Sequence, residues 1–274
     1  MHVILGDWTN ELDVLKLRYE NATPFPFVVL EPFVDFEQAL ELTHSFPRVQ
    51  DANWHKYDNP LEKKYALNAF GGIPVFESFF NFLQSPAVVD LFKSITGIPD
   101  LENDPHLHGA GLHYHERGGK LDMHLDYSIH PLSKKERRVN LILYLNEHWD
   151  DAYNGGLELW DAAFTRCCET IMPAFNRAVL FQTSDISYHG LPTPITCPPD
   201  TGRKSLAIYY VSHPREGVVH RTKAQFRPLP HQPVSPPLQL LYDIRPTRII
   251  SEHDLETIYP QWKEDPAGKG FWFL

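Results

Sequence analysis

Apolar residues recur at helical spacing in the first hundred positions of the chain. Three stripes have the i, i+3, i+4 period of a helix that buries one face: Phe36, Ala39, Leu40 and Thr43; Phe76, Phe79, Phe80 and Leu83; and Val88, Leu91, Phe92 and Ile95. The first stripe begins at Asp35, with Gln38 at the spacing of a capping pair, and the third ends at Gly97 and Pro99. We interpret the stripes as faces of helices that pack on a sheet.

After about residue 106 the pattern changes to short apolar runs separated by Gly, Pro, Asn and Asp. The runs are "GLHYHE", "RVNLILYLN", "GGLELW", "RAVLFQ" and "KSLAIYYVS", and an earlier run, "PFPFVVLEPFVD", begins at Pro24. Several short strands at this spacing are typical of an antiparallel sandwich or barrel. We therefore predict a mainly β fold with flanking helices. Residues 1–23 are predicted as a partly helical lead-in, and a further helix is predicted near "SEHDLETIYPQW".

Composition and charge restrict the function classes. The chain has 274 residues, 42% hydrophobic and 22% charged, enough for one large domain or two small ones. Its formal net charge of -10 argues against nucleic-acid binding, which needs a basic surface. No apolar run is long enough for a membrane span, and the N-terminus lacks the features of a signal peptide. Three cysteines, two of them adjacent, cannot form a disulfide framework, so a cytoplasmic protein is expected.

The segment "KLDMHLDYSIH" places a histidine and an aspartate two residues apart, just before an apolar run. Side chains alternate along a strand, so His124 and Asp126 share one face, about 7 Å apart along the strand. Most isolated H-x-D pairs are surface turns or satisfied core pairs. A buried imidazole and carboxylate without a partner would be costly, and a metal ion is a partner that both can share.

The third ligand should come from a distant strand. His189, in the segment "SDISYHGLPTP", follows an apolar run and precedes a glycine and two prolines that favour a turn. Two histidines and one carboxylate on one side of an ion leave open positions opposite, as in non-haem Fe(II) oxygenases. His124, Asp126 and His189 are therefore the predicted metal ligands and catalytic residues, with His213 and His148 as alternatives for the third.

A basic residue follows in the last strand of the β-rich region. Arg203 opens the run "RKSLAIYYV" and shares a strand face with Ser205. A guanidinium beside a hydroxyl on an inward face would bind a carboxylate through charge-assisted hydrogen bonds. An exposed arginine at a strand end is the competing interpretation. Lys204 points to the opposite face and is expected at the surface.

The run "RVNLILYLN" has two different faces. The face predicted to pack on the helices is apolar and consists of Val139, Leu141, Leu143 and Leu145. Asn140, Ile142 and Tyr144 form the other face, which would then line the barrel interior. Buried polar groups need hydrogen-bond partners, and either a bound acid or backbone groups would provide them for Asn140 and Tyr144.

A tyrosine precedes the H-x-D pair in the segment "GLHYHE". Tyr114 stands ten residues before His124 and is predicted to point into the same interior. Its neighbours His113 and His115 are expected to be ordinary polar strand residues.

In combination, these motifs resemble the 2-oxoglutarate- and Fe(II)-dependent dioxygenases of the prolyl-hydroxylase-like branch. The resemblance rests on Tyr114, the following "GG", His124-Leu125-Asp126, "NLILYLN", "GGLELW", "YHG" and Arg203-Lys204-Ser205. It covers about residues 24 to 213, and "PFPFVVLEPFVDFEQALEL" also resembles the start of that domain. The resemblance implies a double-stranded β-helix, that is, a jelly roll flanked by helices. Arg203 sits a few residues later than in many relatives, after the loop "PTPITCPPDTG".

The resemblance also implies a reaction. The implied Fe(II) ligands are His124, Asp126 and His189, and Arg203 is implied to pair with the distal carboxylate of 2-oxoglutarate. It is implied to be helped by Tyr114, Tyr144 or Ser205, and Asn140 is a further candidate contact from the strand pattern above. 2-Oxoglutarate and O2 would yield succinate and CO2 while a C–H bond is hydroxylated, with ascorbate as an optional addition. Related halogenases have a small residue in place of Asp126, so this carboxylate favours hydroxylation.

The substrate and the domain limits are set less sharply by the sequence. The expected partner is a peptidyl residue such as proline, a free amino acid or a small metabolite, because fold analogy does not name a target. The lead-in 1–23 is predicted to precede a catalytic domain over 24–213. The extension 214–274 is rich in aromatic residues and proline, and it either packs over the barrel mouth or covers the back of the sheet.

Two other classes of protein remain as alternatives. A cupin-type metalloenzyme without 2-oxoglutarate would also be a histidine-rich jelly roll, and "HYHE" is typical of one. That motif requires a glutamate four or five residues after its second histidine, where this chain has Gly119 and Lys120. A non-catalytic jelly-roll binding module is the other alternative, and the presence of all three predicted ligands argues against it.

Overall fold

The computed structural model describes residues 3–70, 72–234, 239 and 242. Within these ranges the α-helices are α1 Leu12–Glu20, α2 Phe36–His44, α3 Pro74–Leu83 and α4 Pro86–Thr96. Short 3-10 helices lie at Asp7–Asn10, Val49–Asp51 and Asp151–Tyr153. The predicted helical lead-in therefore corresponds to α1 and the turn before it.

The strands of the same ranges pair antiparallel throughout. They are β1 Phe27–Leu30, β2 His55–Asp58, β3 Glu62–Leu67, β4 Glu102–Asn103, β5 Gly111–His115, β6 Lys120–Leu125, β7 Glu136–Tyr144, β8 Leu157–Trp160, β9 Cys167–Ile171, β10 Ala178–Gln182, β11 His189–Leu191, β12 Arg203–Ser212 and β13 Gln225–Phe226. The predicted class, mainly β with flanking helices, is confirmed.

The order of the strands brings distant parts of the chain together. The main path of the sheet is β1-β10-β7-β12-β5-β3-β6-β11-β8-β9. Pairing of β6 with β11 sets His189 opposite His124, although they are far apart in sequence. Pairing of β12 with β5 sets Arg203 opposite His115. These two pairings determine which side chains can meet inside the fold.

The helix boundaries follow from local sequence. The Asp35 carboxylate accepts a hydrogen bond from the Glu37 N–H at 3.0 Å and so caps α2. Helices α3 and α4 each start with a proline, Pro74 and Pro86, whose missing N–H costs nothing in the first turn. Helix α4 ends at Gly97, whose φ of +68° is readily adopted only without a side chain. The predicted apolar faces of α3 and α4 are buried in the main core.

Strand β7 separates the helix-side core from the interior of the barrel. Val139, Leu141, Leu143 and Leu145 are fully buried in the core formed with the helices. Asn140 and Ile142, on the opposite face, line an internal cavity. The predicted assignment of the two faces of this strand agrees with the structure.

A register shift changes the alternation at the start of β7. Tyr210 of β12 pairs with Val139, whereas Val211 pairs with Arg137, so one extra residue lies in β7 between these pairs. Arg138 consequently points away from the cavity and donates to Ser212 Oγ at 2.9 Å. Arg137 takes the inward position and lines the cavity. Strict alternation along the sequence would have placed Arg138 there instead.

Several strands were not predicted because they lack an apolar alternation. Strand β3, "EKKYAL", is charged, yet Glu62 and Lys64 both line the cavity. Strands β11 and β13 have only three and two residues. The predicted helix near "SEHDLETIYPQW" lies outside the described residues. No helix in the described part of the chain combines the length and apolarity needed to cross a membrane.

Candidate active site

The inward faces of the sheet enclose a cavity of about 470 Å³. Its wall carries many charged and imidazole side chains, and all of them except His55 and His106 are buried or partly buried. They are His55, Glu62, Lys64, His106, His108, His113, His115, His124, Asp126, Arg137, His189 and Arg203. Buried charges and imidazoles are costly unless something binds them, so this cavity is the candidate site.

Three of these side chains form a compact cluster. His124 Nε2 lies 3.6 Å from Asp126 Oδ1, and His189 Nε2 lies 3.5 Å from Asp126 Oδ2. Among the described residues, this is the group of histidine, cysteine and acidic side chains that could hold a metal ion, with candidate ligand atoms within 4.8 Å of one another. His148 and His213, the alternatives for the third ligand, are not part of it.

The two imidazoles of the cluster are oriented by their own strands. His124 Nδ1 lies 2.9 Å from the Asp122 carbonyl oxygen, and His189 Nδ1 lies 2.9 Å from the Ser187 carbonyl oxygen. A carbonyl oxygen can only accept, so each Nδ1 carries the proton and donates it. Each Nε2 is left with a free lone pair directed towards Asp126. This is the tautomer that a metal-binding histidine requires.

Asp126 is ionised by its surroundings. Burial alone would raise the pKa of its carboxyl group, but Arg137 and the imidazoles of His189 and His124 outweigh burial and hold that pKa well below its usual range. Arg137 Nη2 lies 2.9 Å from Asp126 Oδ2. Oδ2 nevertheless has no well-aligned hydrogen bond from the described residues. A buried carboxylate oxygen in this state retains a lone pair for another ligand.

The electrostatic state of His189 fits the same picture. Burial, followed by repulsion from His124, lowers the pKa of the His189 imidazole to about 4. The ring is therefore neutral at physiological pH. Two imidazole nitrogens and one carboxylate, all on one side of the cavity, fit a divalent transition-metal ion with positions left open. The residues present thus suit Fe(II) by number, type and orientation.

Arg203 lies at another part of the same cavity and is 2% exposed. Its Nε donates to the Gly155 carbonyl oxygen at 2.8 Å, and its Nη1 donates to Ser205 Oγ at 3.3 Å. Gly155 has a φ of +81°, and an added Cβ would lie 3.3 Å from Arg203 Cδ, so the "GG" of "GGLELW" permits this approach. Burial lowers the pKa of the guanidinium, Tyr144 opposes this effect, and no carboxylate of the described residues forms an ion pair with it.

The other residues predicted to contact the cosubstrate differ in whether they reach the cavity. Ser205 and Asn140 line the cavity. Tyr144 is fully buried, with the Arg203 guanidinium carbon 4.8 Å from its ring centroid. The Tyr144 hydroxyl and Asn140 Oδ1 lack hydrogen-bond partners among the described residues. Lys204 is on the opposite face of β12, 5.7 Å from the Phe46 ring, as predicted from strand alternation.

The predicted inward position of Tyr114 is wrong. Its ring packs against Phe46, Trp54 and Tyr65, on the face of β5 away from the cavity. It pairs with Lys204, which also faces away, so the register of β5 against β12 excludes it from the site. The amphipathic tyrosine ring tolerates either face, and sequence alternation alone does not say which face of β5 is inward.

His113 and His115, which were expected to be ordinary strand residues, occupy the inward positions of β5 instead. They pair with Ser205 and Arg203 respectively, and both line the cavity. Their spacing of two residues, matching that of Arg203 and Ser205, is the signal from which this position could have been predicted.

Arg137 and the segment that contains Phe226 also lie at the site, and neither was predicted from the sequence. Arg137 was missed because its inward position depends on the register shift in β7. Phe226, in the segment predicted as an extension, belongs to β13, which pairs with β6. Its ring centroid lies 5.3 Å from that of His124, and Thr222 and Ala224 line the cavity beside it. Arg221 Nε also donates to the Asp126 carbonyl oxygen at 3.0 Å.

Comparison with known proteins gives a family match over the site-bearing strands. Residues 110–211 match the model of the 2OG-Fe(II) oxygenase superfamily. This range contains the candidate metal-ligand cluster and Arg203. No curated protein sequence matches the chain. The resemblance predicted from the motifs is therefore confirmed at the level of this superfamily.

Solved structures of low sequence identity share the fold. A prolyl-4-hydroxylase from Pseudomonas putida has 16% identity and a TM-score of 0.54, covering 74% of this chain and 100% of its own. Prolyl 4-hydroxylase from Phytophthora capsici has 20% identity and a TM-score of 0.52, covering 74% of this chain and 64% of its own. A Trichoplax adhaerens prolyl hydroxylase, solved with a hypoxia inducible factor peptide fragment, has 15% identity and a TM-score of 0.50, covering 74% and 90%. These likenesses confirm the predicted jelly roll.

Proposed function

We propose that this protein, a 2-oxoglutarate- and Fe(II)-dependent dioxygenase by its superfamily match, hydroxylates a C–H bond of a substrate bound in the 470 Å³ cavity. One observation carries the proposal. A metal-type cluster and a buried arginine, which has no carboxylate partner in the described part of the chain, line the same cavity. Such a pair of sites matches the two ends of a keto diacid, one end chelating and the other anionic.

His124 Nε2, Asp126 and His189 Nε2 are the proposed ligands of the iron. When bound, Fe(II) together with 2-oxoglutarate and O2 supplies the oxidising chemistry that releases succinate and CO2 and hydroxylates the substrate. The contribution of the protein is preorganisation. The Asp122 and Ser187 carbonyl oxygens hold the imidazoles in the binding tautomer, and Arg137 keeps the Asp126 carboxylate ionised.

Arg203 is the proposed partner of the distal carboxylate of 2-oxoglutarate. Its Nε and Nη1 are held by Gly155 and Ser205, so the guanidinium plane is fixed before any ligand arrives. A buried cation without an anion is unfavourable, and a dicarboxylate would neutralise it. Tyr144 and Asn140, whose side-chain oxygens lack hydrogen bonds among the described residues, are proposed to complete the polar wall. The role of ascorbate stays a prediction.

We propose a peptidyl residue as the first substrate class to test, followed by free amino acids and small metabolites. The fold neighbours are prolyl hydroxylases, one of them solved with a peptide fragment. Arg137 supports a carbonyl- or carboxylate-bearing substrate. It is 3% exposed and lines the cavity, and its Nη2 pairs with Asp126 Oδ2 at 2.9 Å. Its Nε has no hydrogen-bond partner within the described ranges and can donate to a substrate oxygen close to the candidate metal-ligand cluster.

A succinate assay tests the proposal. Protein loaded anaerobically with Fe(II) is given 2-oxoglutarate and O2 with a panel of peptides, amino acids and metabolites. We expect succinate to form, with a rate that rises with the true substrate, and to disappear in His189→Ala. Metal-dependent turnover without added 2-oxoglutarate would favour the cupin-type alternative. Metal and 2-oxoglutarate binding with no succinate for any substrate would favour a non-catalytic module.

A further inference from the structure

We propose that His115 is a cosubstrate-binding residue: its imidazole N–H donates a hydrogen bond to the same 2-oxoglutarate carboxylate that Arg203 binds. The inference rests on the proposed function and deepens it. His115 ends strand β5 and lies directly opposite Arg203 on β12. Directly paired residues of antiparallel strands point to the same face, with Cβ atoms roughly 5 Å apart. Both side chains line the cavity.

The ring of His115 lacks partners that the protein could have provided. It is 2% exposed, and neither Nδ1 nor Nε2 has a hydrogen-bond partner among the described residues. Native structures rarely leave both polar atoms of a buried side chain unsatisfied, and when they do the group calls for an explanation. The imidazoles of His124 and His189, in contrast, each use Nδ1 on a backbone carbonyl. A ligand in the cavity would supply what the protein does not.

The charge state of His115 is compatible with a carboxylate ligand, which the neighbouring Arg203 favours. Burial, followed by repulsion from Arg203, lowers the pKa of the imidazole well below its usual value. The ring is therefore neutral, with one N–H to donate. A second metal ion is not indicated, because the His124–Asp126–His189 cluster is the group found in the described part of the chain. A carboxylate has two oxygens, so one can accept from the guanidinium and the other from the imidazole.

His115 thus takes the place that the sequence assigned to Tyr114. A histidine donor must lie closer to the carboxylate than a tyrosine donor would, because an imidazole is shorter than a phenol. The neighbouring inward residue His113 pairs with Ser205 and is acted on first by burial and then by Lys64. His113 therefore lies opposite Ser205, two residues further along β12 than Arg203. The proposal concerns His115 alone.

Binding of 2-oxoglutarate without turnover tests the inference. Zn(II)-loaded protein is titrated with 2-oxoglutarate by calorimetry in the wild type, His115→Phe, His115→Gln and Tyr114→Phe. We expect His115→Phe to weaken 2-oxoglutarate binding by about 10- to 150-fold, the range for a lost hydrogen bond to a charged group. His115→Gln keeps an N–H donor and should recover part of the affinity. Tyr114→Phe, on the other face of β5, should bind as the wild type does.

A second ligand identifies the carboxylate that is bound. Pyruvate retains the keto-acid end of 2-oxoglutarate and lacks the distal carboxylate. We expect His115→Phe to bind pyruvate with wild-type affinity, since the lost donor has no partner there. Zinc content and melting temperature of each variant are measured alongside. If His115→Phe does not fold, the same comparison with His115→Gln decides, because its geometry differs from that of histidine and should still cost 2-oxoglutarate more than pyruvate.

The outcomes separate this inference from the proposed function. Unchanged 2-oxoglutarate affinity in His115→Phe, an equal loss for pyruvate, or a parallel loss of zinc would each overturn the role of His115. A wild-type protein that binds zinc but not 2-oxoglutarate would overturn the proposed function itself.

Discussion

The cavity holds two kinds of buried histidine, and they are built differently. On β6 and β11, His124 and His189 each anchor Nδ1 on the carbonyl two residues earlier, which leaves Nε2 aimed at Asp126. On β5, His115 is equally buried but has neither ring nitrogen anchored among the described residues. The first arrangement fixes a lone pair for a metal before the metal arrives. The second leaves an N–H donor whose partner must come from a bound small molecule. Burial alone therefore does not identify a metal-binding histidine.

The largest difference between the two kinds of histidine should appear in the amount of metal that the variants retain. His124→Ala and His189→Ala should each abolish turnover and lower the stoichiometry of bound Fe(II), because the ion would be held by two side chains instead of three. Metal analysis after gel filtration, together with succinate formation, measures both effects. His148→Ala and His213→Ala are the matched controls and should retain both. Activity that survives His189→Ala and is lost in His213→Ala would move the third ligand.

The next largest effect concerns the ion pair at the metal end. Asp126→Ala leaves Arg137 buried without its carboxylate, and an uncompensated buried charge costs about 3–5 kcal/mol of stability. Chemical denaturation of the metal-free protein measures this loss. The double variant Asp126→Ala with Arg137→Met removes both charges and should recover much of it. If the Asp126→Ala variant is as stable as the wild type, Arg137 is solvated or paired with another group.

The other end of the cavity can be weakened without touching the metal. Arg203→Ala should weaken 2-oxoglutarate by about 30-fold to several thousandfold, corresponding to about 2–5 kcal/mol for one half of a buried charge pair. Arg203→Lys keeps the charge but loses the two-pronged geometry, so only partial recovery is expected. Lys204→Ala, on the opposite face, is the control. Succinate formation against 2-oxoglutarate concentration separates the three variants, and a sensitive Lys204 with a silent Arg203 would contradict the assigned face.

The smallest effect is a pH dependence of stability. His115 is neutral in the folded protein, whereas in the unfolded chain it gains a proton below about pH 6.5. The unfolded state then binds more protons, so the stability of the metal-free protein should fall as the pH drops below about 6.5, by at most about 1.4 kcal/mol per unit for this residue. His115→Gln should show a shallower fall between pH 6.5 and 5, measured by denaturation midpoints. His44→Gln, at an exposed position outside the cavity, is the control for the substitution itself.

The cluster of His124, Asp126 and His189 could be predicted from the sequence because its arrangement depends on local alternation and on a recognisable motif. The faces of β7 between Val139 and Leu145 followed from the same alternation. The inward face of β5 could not be predicted, because that choice is made by the register against β12. Arg137 required knowledge of the extra residue in β7, which no periodicity reveals. Short or charged strands such as β3 and β13 are stabilised by pairing, and their residues carry no pattern of their own.

The pairing of β13 with β6 has a consequence for where the chain can be cut. The predicted boundary at residue 213 would discard Phe226, which covers the His124 ring, and Arg221, which holds the Asp126 carbonyl oxygen. A fragment that ends there would expose the imidazole of His124, a proposed metal ligand, to water and free the backbone of Asp126. We therefore expect the smallest autonomous unit with an intact candidate site to extend at least through Phe226. Any recombination of this domain with other proteins should place its junction beyond that residue.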